Sequence, residues 1–208
     1  INIKIVIKSI FLLIGFILIS HEIIKPFYRV IFYDHSIFEV LPLHICHIAA
    51  ISMGLYVFTK IKYFFEVGYF FGLSGNFLAI ITPDLDFSFP DAEYITYYFG
   101  HGLLLLAVIY ACVCTKVQLT WWSVLRVLLF AVCLLPLIYG LNIYISEFFN
   151  DANYWYLMIT PAANTLLDIF PSPPMHIPYL AMLTVIIFTL IYLPFKYLNK
   201  NKQLTFLR

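Results

Sequence analysis

Apolar residues in this chain gather into long runs separated by short polar breaks. A helix rises about 1.5 Å per residue, so crossing about 30 Å of hydrocarbon takes roughly 20 residues. Six runs meet that length: about 5–24, 40–59, 63–82, 95–115, 121–146 and 176–197. The predicted fold is therefore all-α, a polytopic membrane helical bundle with six transmembrane helices in a single transmembrane domain over residues 1–208. The breaks carry turn chemistry at Lys25-Pro26, Thr82-Pro83-Asp84, Phe89-Pro90-Asp91 and the run Pro171-Ser172-Pro173-Pro174, which cannot be helical throughout. Residues 150–174 are long for a plain loop and still moderately apolar, and read as an interfacial or re-entrant segment.

Composition agrees and excludes other classes. Apolar residues make up 63% and charged residues 11% of the chain, against about 25% charged in soluble domains, and mean hydropathy is +0.94. The net charge is +1 and Lys and Arg form no block, so no nucleic-acid partner is expected. Four scattered cysteines without Cys-x-x-Cys spacing argue against a disulfide framework and a thiolate metal site, and no cofactor is expected. The chain opens on Ile1, so an initiator Met or a longer piece is expected ahead of it, and the first apolar run shows no cleavable signal.

Charge orients the bundle. With the N-terminus cytoplasmic and every run crossing, Lys4, Lys8, Lys60, Lys62, Lys116, Arg126, Lys196, Lys200, Lys202 and Arg208 share the inner side, ten of the twelve basic residues. Only Lys25 and Arg29 fall outside. The expectation is a multi-pass protein of the cell membrane with both ends of this chain cytoplasmic. All acids except Glu66 fall at the outer ends or in outer loops.

The same topology sends His21, His35, His44, His47, His101 and His176 toward one side, and Asn76, Asn142, Asn153, Asn164 and Asp168 lie in outer halves or outer segments too. A polar chamber opening on that side is the economical expectation. Polar groups inside hydrocarbon are costly and mark function by default. Cys46 lies about five residues into the second run and His101 about six into the fourth, each roughly 8–10 Å below the boundary by helix rise. A thiol beside an imidazole is the requirement for a cysteine nucleophile, and the reaction class would be acyl transfer. The bland alternative stands beside it, because cysteine is a common small packing residue. His44 and His47 are metal ligands, cap or interfacial histidines, or hydrogen-bond partners. His101, flanked by Gly100 and Gly102 in an apolar run, has no interfacial explanation. Asp84 follows Thr82-Pro83 closely enough to orient a histidine. Cys46, Ala50 and Gly54, with Gly68, Gly72, Gly75 and Ala79, have the small-residue spacing that lets membrane helices approach closely.

Leu41-Pro42-Leu43-His44-Ile45-Cys46, Ile81-Thr82-Pro83-Asp84, the stretch Tyr98 to His101, Asn153-Tyr154-Trp155-Tyr156-Leu157 and Leu167-Asp168 before a Pro-rich turn occur here in order. Together they resemble the bacterial YwaF-like integral membrane proteins, a group related to the eukaryotic transmembrane protein 164, over nearly the whole chain. Members of the bacterial group have one further N-terminal span. The resemblance implies an acyltransferase-like activity on phospholipids, with Cys46 and His101 as the working pair. His44, His47, Asn76, Asp84, Asn142, Asn153, Tyr154 and Asp168 would support them or bind substrate. The expected partner is a membrane phospholipid or lysophospholipid. Asn76, Asn142, Asn153 or a backbone amide could hold the oxyanion. Two alternatives remain at this stage: a metal-dependent enzyme built on His44, His47 and His101 with His176 or Asp84, and a small transporter or solute-binding protein.

Overall fold

The computed structural model describes residues 2–149, 152–161 and 166–201. Among them are six α-helices and no strand: α1 (Ile3–Tyr33), α2 (Ile45–Thr59), α3 (Lys62–Ile81), α4 (Ala92–Cys114), α5 (Trp121–Phe149) and α6 (Ile177–Asn201). Two short 3-10 turns, Tyr154–Tyr156 and Leu166–Ile169, lie between α5 and α6. Five of the helices are long and apolar enough to cross a membrane. The sixth, α2, has 15 residues, about 22 Å at helical rise. It starts at residue 45 rather than 40 because Leu41 to His44 form turns and His44 takes an extended conformation as N-cap.

The expected break at Lys25-Pro26 does not occur. Pro26 sits inside α1, which runs on to Tyr33 and ends with Asp34 in the left-handed conformation, φ 57°. Proline costs the helix one backbone bond, but contacts beyond it hold the last two turns. Arg29 Nε pairs with Glu93 at 2.8 Å, and Tyr33 donates to Asp91 at 2.7 Å. The other breaks fall where expected: α3 stops at Ile81, and Asp91 caps α4 by accepting from the Glu93 N–H. Asn164, like Lys202 and Arg208, lies outside the described residues.

Helix α3 is the buried centre, with half of its most apolar stretch covered, whereas α6 has 6% of its own covered and turns its Leu, Ile and Val side chains outward. Glycine sets the close crossings. A Cβ on Gly15 would stand 2.6 Å from Val57, one on Gly54 2.5 Å from Ile19, and one on Gly68 2.9 Å from Met53. The small residues of α1, α2 and α3 are thus where backbones approach. Residues 152–161 form a non-helical plug against the end of α5. Tyr154 and Leu157 are buried, and both peptide groups of Tyr154 are taken by the Asn142 side chain at 2.9 Å. Irregular backbone among apolar helices is tolerated where protein covers it.

Candidate functional site

Four helices converge on one small cavity lined by His21, Glu22 and Lys25 of α1, Cys46, His47 and Ala50 of α2, Asn76 of α3, and Gly100, His101 and Leu104 of α4. Its enclosed room is about 10 Å³ within a cleft of about 240 Å³ that includes open space, so the inner part holds about one water. Cys46 and His101 therefore line the same cavity, although neither helix starts where the sequence places it. Cys46 is the second residue of α2 and His101 the tenth of α4. The first turn of the short helix α2 lies level with the third turn of α4.

The position of Cys46 has chemical weight. Backbone N–H groups in the first helical turn have no intrahelical acceptor, and Cys46 stands in that turn, on the lining of the cavity. His101 is buried, and its Nδ1 lies 2.8 Å from the Tyr97 carbonyl. A carbonyl only accepts, so Nδ1 carries the hydrogen and Nε2 keeps its lone pair. That Nε2 has no hydrogen-bond partner in the protein. Asn76, fully buried, donates its amide to the His101 carbonyl at 2.8 Å, while its Oδ1 is unpartnered as well.

The other expected site residues divide. His47 lines the cavity and its Nδ1 pairs with Glu22 Oε2. His44 stands beside it, ring centroids 5.9 Å apart, and packs against Tyr154 and Tyr156 at 5.1 and 5.7 Å. Its side chain makes no cap bond. Asp84 accepts from the Tyr156 hydroxyl at 3.2 Å rather than from a histidine. The Asn142 amide is spent on Tyr154, and the Asn153 side chain is spent on Met158 and Ile159. Both amides hold the plug and neither lines the cavity. The Tyr154 hydroxyl likewise bonds Phe38 and Leu41. Asp168 belongs to the second 3-10 turn and is not among the lining residues. His176 donates to the Tyr156 carbonyl at 2.9 Å. Among the described residues, no group of three or more His, Cys, Asp or Glu side chains is arranged to hold a metal ion.

Glu22 and Lys25 were not expected here. Their signal lies in the sequence as a stripe at helical spacing, His21, Lys25 and Arg29 with Glu22 alongside, visible once Pro26 is allowed inside the helix. Gly100 has a specific role. A Cβ there would stand 2.5 Å from the His21 ring, whose Nε2 lies 3.2 Å from the Thr96 carbonyl.

A family model described as the TMEM164 family matches residues 2–192, which takes in α1 to α5 and most of α6. No curated protein matches the chain, and no solved structure does.

Proposed function

The chain belongs to the TMEM164 family of membrane proteins, and on that premise we propose that it is a membrane-embedded acyltransferase or acyl hydrolase acting on phospholipid acyl chains. Cys46 is the nucleophile and His101 moves its proton. The observation that carries the reading is the shared cavity: a thiol at a helix N-terminus and a buried imidazole with a bare Nε2 both line it. The Cys46 sulfur attacks the ester carbonyl of a lipid while its proton passes to His101 Nε2. The carbon–oxygen bond breaks, and the departing alkoxide takes that proton to leave as a lysolipid hydroxyl. A second hydroxyl, from a lysophospholipid or water, then gives its proton to His101 and attacks the thioester. The thiolate leaves and is reprotonated from the imidazolium. The N–H groups at the start of α2 are the donors this reading assigns to the developing oxyanion. In this reading the protein lies in the cell membrane with both ends of the chain cytoplasmic.

The test is a mass measurement. Purified protein incubated with phosphatidylcholine vesicles gains an acyl chain on Cys46 as a thioester, which neutral hydroxylamine removes. Cys46→Ala abolishes the adduct, and His101→Ala slows its formation by about 10²- to 10⁴-fold. Wild-type protein that forms no adduct and exchanges no acyl chains refutes the proposal.

A further inference from the structure

Beyond the Cys46–His101 pair, we propose that Glu22 is a positioning residue: it holds His47 so that the His47 ring serves as a second proton acceptor beside Cys46. The inference rests on the reading of Cys46 as a nucleophile but is carried by separate contacts. Glu22 is 7% exposed, and both carboxylate oxygens are engaged by imidazoles, Oε2 by His47 Nδ1 and Oε1 by His21 Nδ1 at 3.3 Å. A carboxylate accepts only, so the hydrogen of His47 stays on Nδ1 and the lone pair on Nε2. Both His47 and Cys46 line the cavity.

The choice of partner separates Glu22 from the other buried acids. Glu66 is answered by the Arg126 guanidinium and the Ser123 hydroxyl, and Glu93 by Arg29. These are permanent charges locked in place. Among the described buried acids, Glu22 alone is bonded to histidines at both oxygens, the arrangement in which a carboxylate orients a ring and stabilises the imidazolium formed when that ring takes a proton. His101 has a carbonyl in that position, which fixes the tautomer but brings no compensating charge. The two histidines are thus unequal: His101 offers a bare nitrogen, and His47 offers one whose charged form has a counter-ion. The remaining ionisable neighbours are Lys25 on the same wall, His21 on the far oxygen, His44 across from the His47 ring, and the Arg29–Glu93 pair further along α1. Gly100 admits the His21 ring against α4, so the carboxylate is clamped from both sides.

Thiol reactivity tests this without any lipid. Treat the purified protein with N-ethylmaleimide at neutral pH and follow each cysteine by peptide mass, with the exposed Cys133 as internal reference. Glu22→Gln and His47→Gln should each slow Cys46 alkylation at least about tenfold, since loss of a positioned base costs that much or more. Glu22→Asp should recover part of the rate, and Cys133 should react as in the wild type throughout. Cys46 alkylation at the wild-type rate in Glu22→Gln overturns the proposal, as does a loss there that His47→Gln does not share. If Glu22→Gln does not fold, His47→Gln and Glu22→Asp decide on the same criteria. A Cys46 that takes no acyl group from phospholipid, yet still depends on Glu22 for alkylation, refutes the lipid reading and leaves this one standing.

Discussion

A carboxylate sealed from water, such as that of Glu66, is stable only if something answers its charge, and Arg126 and Ser123 of α5 do so, with Lys62 of α3 at 3.6 Å. Arg126 reaches it with Nε at 2.9 Å and Nη2 at 2.5 Å, and Ser123 donates at 2.7 Å, with Thr120 bonded behind Ser123. The pair is asymmetric, because Glu66 is fully buried while the Arg126 side chain is 46% exposed. Arg126→Met leaves the buried carboxylate to Ser123 and the more distant Lys62 and should cost on the order of 3 kcal/mol. Glu66→Gln leaves a guanidinium that water still reaches and should cost clearly less. Thermal unfolding of the two variants in detergent should show that order, and equal losses would contradict it. In the sequence Glu66 is the acid on the wrong side with one local partner, Lys62 a helical turn before it, while Arg126, 60 residues away, is invisible along the chain. His101 was legible because glycines and apolar residues flank it. Glu22 was hidden by a proline four residues on.

Helices α1 and α2 meet through glycine, and each glycine's surroundings decide what a methyl group would do. At Gly15 a Cβ would stand 2.6 Å from Val57 Cβ and Cγ1, atoms of a β-branched side chain with little freedom to turn. Gly15→Ala should therefore push the helices apart and cost about 1–3 kcal/mol. Gly102 has nothing within 4 Å of its would-be Cβ, and Gly102→Ala should be neutral or stabilising by up to about 1 kcal/mol through helix propensity alone. Melting temperatures in one detergent compare the two directly. Destabilisation by Gly102→Ala equal to that by Gly15→Ala would undo the distinction. The small-residue pattern was readable from sequence, but which glycine touches what was not. Both sit in apolar helices, and only the crossing geometry distinguishes them.

At the scale of the whole bundle, polar groups segregate: the Cys46–His101 cavity lies toward the α2 start and the α4 start, and the Glu66–Arg126 cluster lies toward the α3 and α5 starts. The ten-to-two imbalance of basic residues favours the second end facing the cytoplasm. Ser88, exposed in the segment between α3 and α4, reports on this. A Ser88→Cys variant in intact cells, in a background lacking the exposed Cys133, should react with a membrane-impermeant maleimide. Labelling that appears only after permeabilisation would reverse the orientation.

Run length and composition by themselves determined that this chain is helical, membrane-embedded and punctuated at Pro83, Pro90 and Pro171, because the hydrocarbon demands apolar length and proline cannot donate. They also pointed to His101, a polar group in an apolar run without an interfacial explanation, and to Cys46 at matching depth, with packing as its bland alternative. Only the tertiary structure decided that α1 continues through Pro26, that α2 begins inside the bundle, and that Asn142 and Asn153 serve the plug. Those outcomes depend on which groups meet across helices, Arg29 with Glu93 and Asn142 with Tyr154. Pairings between residues far apart in the chain are set by packing geometry, on which local pattern carries no information.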